Sequence, residues 1–538
     1  MLGSTSPVSP STQRGRLIAQ IALAAAVIAH IASVVAALVA HDGTAIAKSW
    51  FADDAFYYLE PANRIVAGQG STFDGSALTN GYHPLWMLCC CAIAAFTPRA
   101  AQIETVYALQ GLMMLASAMC IWRALARLHA TAAALASALL LAAVGARSTL
   151  MNGMESGLGM LLLSALLAFT LTRGGEGLVL TDRRRAVSAW LLLAALSLCR
   201  LEMALVSAMW LMASLWATRG HPDGAACRRR VLAVFGALAT TAVSYLLINL
   251  WIADWPVPIS GSLKWGLKED PATMRNTLLT HGLAFVAAWR PLLSWMSAAF
   301  VIGIGGILLA ALVAMLAAQR VFQLRLAPVV VGCLSFVAVV TQRSGGFSWY
   351  AWPALFLGTV ATFAVFDRLA ALGERLPRVA ALLPVAALLV GTYSAVAPVA
   401  RQFRPRPDIL FDWTAPEALW DHCVRFLRER VPPDDVVAGT AVGHVAFTTG
   451  RSIVQAEGLV NDRRYLQAIR DGDPAGELRR RGVTWVFGPV KSRAALPDVL
   501  ARYWRSEDVI AVTWLTDAYG LSLGAPDDVA FVQLRANR

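Results

Sequence analysis

Pro84-Leu-Trp-Met-Leu-Cys-Cys-Cys-Ala-Ile-Ala-Ala-Phe-Thr97 is apolar throughout but only 14 residues long, and its reading settles the topology of the chain. A transmembrane helix needs about 20 such residues, and roughly 10–14 suits a re-entrant or interfacial helix. Upstream, Arg14 and Arg16 precede an apolar run over 17–40. A signal peptide has an apolar region of about 7–15 residues, so this run is read as a retained first span. Downstream, further apolar segments lie near 103–122, 130–146, 156–172, 186–199, 201–217, 231–252, 294–318, 326–341, 349–366 and 379–399. Basic clusters flank them on alternate sides: Arg14/Arg16, Arg123/Arg127, Arg183–Arg185, Arg228–Arg230, Arg320/Arg325 and Arg368/Arg375/Arg378. Counting 84–97 as a crossing would send Arg123 and every later cluster outside. Leaving it in the outer interface puts all six clusters in the cytoplasm, as the positive-inside rule asks. The expected fold is an α-helical polytopic membrane protein of about eleven spans plus interfacial helices, with the N-terminus inside and the C-terminus outside.

Composition agrees. The 538 residues are 57% hydrophobic and 15% charged, with a mean hydropathy of +0.57, whereas soluble domains carry about 25% charged residues. The net charge of +12 does not signal nucleic acid, because residues 400–538 are nearly neutral. The excess sits in loops between apolar runs, where it reports orientation. Six of the eight cysteines, Cys89, Cys90, Cys91, Cys120, Cys199 and Cys333, lie in apolar runs, while Cys227 is in a basic loop and Cys423 is alone. No disulfide framework or zinc spacing follows.

Beyond Pro405 and Pro407 the pattern changes. Val436–Gly439, Ser452–Gln455, Trp485–Phe487, Val509–Trp514 and Val529–Leu534 read as strands. Ala415–Arg430, Arg464–Asp471 and Leu496–Arg505 read as helices. The expected division is a membrane domain over 1–399 and an extracytoplasmic α/β domain over 400–538. The outer face then also carries the loop 41–102, the turn Arg147–Glu155 and the loop 253–293.

The first of these loops holds the chemistry-bearing residues. It reads Phe51-Ala-Asp53-Asp54-Ala-Phe-Tyr57-Tyr58, passes Gly68-Gln-Gly70, and continues as Thr79-Asn80-Gly81-Tyr82-His83-Pro84-Leu85-Trp86. Two adjacent carboxylates repel, which raises a pKa unless a cation compensates. A base for proton abstraction, or an oxygen-ligated metal, would use such a pair. Asp is also a good helix N-cap, so a solvated acidic pair capping a helix is an equally ordinary account.

The stretch Asp53–Trp86 resembles the first outer loop of polytopic GT-C glycosyltransferases, among them bacterial members related to terminal arabinofuranosyltransferases and protein mannosyltransferases. Gly153-Met-Glu155, Arg200-Leu-Glu202 and Ser260-Gly-Ser-Leu-Lys264 are looser echoes of the same family, as is Glu457-Gly-Leu-Val-Asn461. Glu202 stands where Asp is commoner. The resemblance implies an inverting transfer of sugar from a polyprenyl-phosphate donor to a glycan, lipid or protein acceptor, at the outer face of a bacterial inner membrane. It implies Asp53 as base, with Asp54 beside it. Tyr57, Tyr58, Asn80, Tyr82, His83, Glu155, Arg200, Glu202 and Lys264 would surround substrate, Lys264 and Arg200 facing phosphate. Asp54 and Glu155 would hold Mg²⁺ or Ca²⁺ if a divalent metal takes part.

Plainer accounts exist for each. Glu155 would pair with Arg147, Arg200 with Glu202, His83 would pack, and Lys264 would be solvated. The Gly-rich turn Arg343–Tyr350 reads as a connector. A transporter or lipid-linked glycan flippase is the alternative, with Arg200, Glu202 and the acidic loop lining a pathway.

Overall fold

The computed structural model describes residues 10–171, 177–266, 327–341, 350–375, 414–490, 508–519 and 528–535, with isolated positions between 281 and 313 and at 504. The expected spans 294–318 and 379–399 and the expected helix Leu496–Arg505 lie outside them. Two compact units are present. One comprises Met1–Asp42, Tyr107–Thr241 and Glu269–Pro405, the other Gly43–Val106, Ala242–Lys268 and Arg406–Arg538.

The first unit is a helical bundle of a multi-pass membrane protein. Helix Pro10–Ala40 packs on Ala130–Ala142, which also meets Trp352–Arg375. Ala130–Ala142 is buried on all sides from Thr131 onward, as a helix apolar all round must be. Its alanines let neighbouring backbones approach closely, the usual basis of helix association in lipid. Ala204–Ala217 packs against Ala327–Thr341, where Gly332 faces the backbone of Val206. Among the described residues five helices are long and apolar enough to cross a membrane: Gly15–Ala40, Arg99–Leu125, Leu201–Gly220, Gly224–Ala253 and Trp352–Ala370. Only 17% of the apolar window of Gly224–Ala253 is buried within the protein, which leaves Leu232, Phe235, Leu247 and Trp251 exposed as a surface suited to lipid. The segment expected as 130–146 instead ends at Ala142, and a second helix, Val144–Leu150, follows. Ala143 is extended there, with ψ 116°, and Val144-Gly145 is a weak place to continue a helix.

Among the described residues the second unit carries a sheet of five strands: β1 (Val436–Gly439), β2 (Ile453–Gln455), β3 (Val483–Val490), β4 (Val509–Trp514) and β5 (Asp528–Leu534), in the order β2-β1-β3-β5-β4. β1 is parallel to β2 and β3, while β5 is antiparallel to β3 and β4. Alternation along the strands loads both faces. Val437, Phe487, Val529 and Phe531 pack with Trp420, Phe426 and Leu427 of helix Thr414–Glu429. Ala438, Val486, Ala530 and Val532 pack with Tyr465 and Leu478 of helices Arg463–Arg470 and Pro474–Arg480. β3 runs past the expected Phe487 to Val490. Gly488 and Pro489 hid that extension from the sequence pattern. They are tolerated because beyond Phe487, among the described residues, the strand pairs with β5 alone, so a missing proline N–H breaks no second ladder there.

The same unit contains the loop segment 43–106. A 3-10 turn, Asp53–Ala55, leads into helix Phe56–Val66, and helix Pro84–Phe96 packs on it. Pro84–Phe96 is 13 residues long. It buries Trp86, Met87, Cys90 and Ile93 while Leu88 and Phe96 stay exposed, a one-sided apolar helix too short to span.

Because β1 has β2 on one side and β3 on the other, the chain direction across the sheet reverses at β1. In open α/β sheets that switch point opens a crevice at the carboxyl ends of the strands. Here Thr440-Ala441-Val442 leaves β1 and enters helix Gly443–Thr449.

Candidate active site

Asp53 fills that crevice. Its Oδ2 accepts the backbone N–H of Gly443 at 2.9 Å, and its Oδ1 accepts that of His444 at 2.9 Å. These are the first amides of a helix, which have no intrahelical acceptor, so a carboxylate from 390 residues upstream caps it. The approach is close: a Cβ on Gly443 would press on the Asp53 carbonyl and lie 3.1 Å from both Asp53 Oδ2 and Phe56 Cβ. Ala441 takes a left-handed conformation, φ 51°, which costs a non-glycine residue and marks a turn held by its surroundings. The opposite end of the helix is held by Arg99, whose Nε and Nη2 donate to the Phe447 carbonyl at 3.1 and 2.7 Å. A negative group at the start and a positive one at the end both suit the helix dipole. Arg99 also pairs with the buried Glu60, which Arg64 Nε contacts at 3.2 Å.

Burial pushes the Asp53 carboxyl above the usual carboxylate range, against the pull of the two amides and of a hydrogen bond from Tyr57. Tyr57 is pushed well above an ordinary phenol, first by burial and then by the charges of Asp53, Glu457 and Asp54. Its hydroxyl accepts from Gln455 Nε2 at 3.5 Å, and the same Nε2 donates to Glu457 Oε2 at 2.6 Å. Glu457 Oε2 also accepts the Ala441 N–H at 3.3 Å. Asp53, Asp54 and Glu457 thus surround one phenol, with Gln455 as the neutral donor among them.

The other predicted residues of this loop are spread around that centre. Tyr58 OH accepts the His83 N–H at 3.3 Å, and its ring lies 6.4 Å from that of Tyr82. Tyr82 OH shares a hydrogen bond with Ser71 Oγ at 2.6 Å, and burial pushes its phenol up. Asn80 is a staple. Its Nδ2 donates to the Trp255 and Val257 carbonyls at 2.9 and 3.1 Å, and its Oδ1 accepts the Ile259 N–H at 3.1 Å. Gly81 abuts the Leu459 carbonyl so closely that a Cβ has no room, with Val460 Cα only 3.2 Å away. The Asn80-Gly81 pair and the segment Glu457–Asn461 are therefore packed on each other. Lys264 lies on helix Ile259–Gly266, and its side chain is outside the described residues.

Glu155, Arg200 and Glu202 belong to the helical unit. Arg200 Nη1 lies 2.5 Å from Glu155 Oε1, and its Nε lies 3.3 Å from Glu202 Oε2. Arg200 and Glu155 are buried, and the guanidinium sits over Tyr350, 4.0 Å from the ring centre. Arg200 bonds Glu155, and Arg147 Nη2 lies 3.3 Å from His30 Nδ1. Among the described residues no group of three or more His, Cys, Asp or Glu is arranged to hold a metal ion. The turn Arg343–Trp349 is outside the described residues.

Sequence reasoning did not find Gly443, His444, Gln455 or Arg99. The only available signal was Glu457-Gly-Leu-Val-Asn461, whose family likeness carried no role.

One unit is an apolar helical bundle of a multi-pass membrane protein, and the other joins a paired-carboxylate loop to an α/β sheet. Solved structures agree on the fold. ArnT from Cupriavidus metallidurans matches in the apo state and bound to undecaprenyl phosphate, with TM-scores of 0.52 and 0.51, 14% identity, and 93% of this chain and 97% of that one covered. Archaeal oligosaccharyltransferase AglB from Archaeoglobus fulgidus, in complex with an inhibitory peptide and a dolichol-phosphate, matches at TM-score 0.50 and 12% identity, over 88% of this chain and 71% of its own. No family model and no curated protein sequence matches. The chain shares the fold of these solved structures.

Proposed function

We propose that the protein is a membrane glycosyltransferase that moves a sugar from a polyprenyl-phosphate donor to a cell-envelope acceptor at the extracytoplasmic face. The observation that carries this reading is a carboxylate, Asp53, enclosed and oriented by two backbone amides on the loop that follows the first span. Similar folds support the donor class, since the ArnT crystal structure holds undecaprenyl phosphate and AglB is in complex with a dolichol-phosphate. Such a donor keeps its lipid in the bilayer and its sugar at the surface, where nucleotide sugars are absent. Residues 1–399 then form the membrane catalytic domain and 400–538 the outer domain.

In the proposed reaction Asp53 takes the proton of the acceptor hydroxyl as its oxygen bonds to the anomeric carbon. The bond from that carbon to the phosphate oxygen breaks, and polyprenyl phosphate leaves with the electron pair. Direct displacement inverts the anomeric centre. A carboxyl raised by burial suits a base working near neutral pH. The departing phosphate needs positive charge rather than a general acid, which assigns Lys264 and Arg200 to it. Arg offers a planar fork that donates two bonds at once. Tyr57, Tyr58, Tyr82, His83 and Glu202 line the substrate on this reading.

Purified protein incubated with a panel of polyprenyl-phosphate sugars tests this. Asp53→Asn should abolish transfer while membrane insertion persists. Retention of wild-type transfer by Asp53→Asn would make the base assignment wrong.

A further inference from the structure

The reading of Asp53 as base leaves open what holds it in place. We propose that the turn Ala441–His444, at the carboxyl end of β1, is a positioning element for the Asp53 carboxylate, which makes the C-terminal sheet a working part of the transfer centre. The inference rests on that reading of Asp53.

Four independent observations converge. Both carboxylate oxygens are engaged by adjacent amides of the turn, at 2.9 Å each, which fixes the plane of the group as well as its place. Gly443 is the residue that lets Asp53 come so near, because a Cβ there would collide with the Asp53 backbone. Ala441 holds a left-handed φ of 51° that points its own N–H at Glu457. Arg99, from the same loop segment as Asp53, grips the far end of the helix through the Phe447 carbonyl. A helix gripped at both ends by one loop cannot shift along its axis without moving the carboxylate.

Asp53 faces Tyr57 from its own loop and the Gly443 and His444 amides from the helix. Asp54, from the same loop, and Glu457, from the segment after β2, act on that Tyr57 phenol. His444 comes from the helix itself, with Lys48 and Asp421 around that imidazole. The His444 ring stacks on Trp420, centroids 4.4 Å apart, and burial lowers its pKa to about 4. It is neutral where transfer would be measured, so its backbone N–H matters to Asp53 and its ring charge does not.

That separation supplies the test. His444→Pro and His444→Ala both remove the ring, but only proline removes the N–H. Proline is tolerated in the first turn of a helix, where no intrahelical bond is lost. A hydrogen bond to a charged group contributes about 1.5–3 kcal/mol, equal to about one to two pKa units. Against His444→Ala, the proline variant should therefore show the acidic limb of kcat/KM displaced upward by about one pH unit. Its kcat should fall about tenfold, with KM within about twofold. Gly443→Ala, which pushes on the carboxylate without removing a donor, should lower kcat in the same way and gives a second route if the proline variant does not accumulate. Identical limbs and kcat for His444→Pro and His444→Ala, with Asp53→Asn inactive, would overturn the inference and leave the base reading standing. An active Asp53→Asn would overturn the base reading instead. Failure of both His444→Pro and Gly443→Ala to accumulate, with His444→Ala normal, would assign the turn to folding and count against the proposal.

Discussion

Replacing Arg99 with alanine should loosen helix Gly443–Thr449, although Arg99 is some 350 residues away in sequence. Arg99 donates twice to the Phe447 carbonyl, lies 4.5 Å from the Phe447 ring centre, and pairs with Glu60. Hydrogen bonds from a charged donor contribute about 1.5–3 kcal/mol. The Arg99 side chain is 37% exposed, so water recovers part of the loss, and Glu60 keeps Arg64. The net effect should be about 1–2 kcal/mol, which raises the population of the opened helix by a factor of roughly 5–30. Hydrogen exchange of a peptide spanning 441–450, read by mass spectrometry on detergent-solubilised protein, measures that factor directly. Arg428→Ala is the control. Arg428 donates to the Thr448 carbonyl at 3.1 Å at the same helix end but is exposed, so its loss should change exchange by less than about twofold. Equal exchange in Arg99→Ala and Arg428→Ala would refute the claim that the loop clamps this helix.

Further outcomes follow from other contacts. His444 is held neutral with a pKa of about 4, below its unfolded value of about 6.5. The unfolded chain therefore binds the extra proton first, and stability should fall as pH drops from about 6.5 to 4, by roughly 3 kcal/mol at full titration. Thermal melts of wild type against His444→Gln should differ in slope across that window and run parallel above it. Gly81→Ala, which forces a Cβ against the Leu459 carbonyl, should cost about 1–3 kcal/mol, seen as a lower melting temperature. Arg200→Ala strands the buried Glu155 and should destabilise by about 3–5 kcal/mol, whereas the pair Arg200→Met with Glu155→Gln should recover most of it.

Much of the fold was legible because membrane insertion and sheet pairing write simple periods into a chain. Val436–Gly439 and Val509–Trp514 have the bounds read from β-branched runs, and every expected span inside the described residues carries a helix. Helix Pro84–Phe96 was visible from length alone. What pattern cannot carry is a contact between remote segments of ordinary composition. Gly443 and His444 donate through backbone amides, which every residue but proline possesses, so nothing in their side chains announced the partnership with Asp53. The resemblance implies Asn80 as a substrate contact, and nothing local announced its hydrogen bonds to Trp255, Val257 and Ile259, about 180 residues on. Likewise Arg200 and Glu202 do pair, but Glu155 also bonds Arg200, a link between sequence positions 45 apart that no local spacing predicts.

The seat at the carboxyl end of β1 is where open α/β sheets commonly receive a ligand, and this chain brings its own occupant. A swap of residues 406–538 for a foreign sheet would thus fail at one spot first, where an incoming helix lacks a glycine slim enough to admit the resident acid. The tail and the opening loop must be inherited as a matched set.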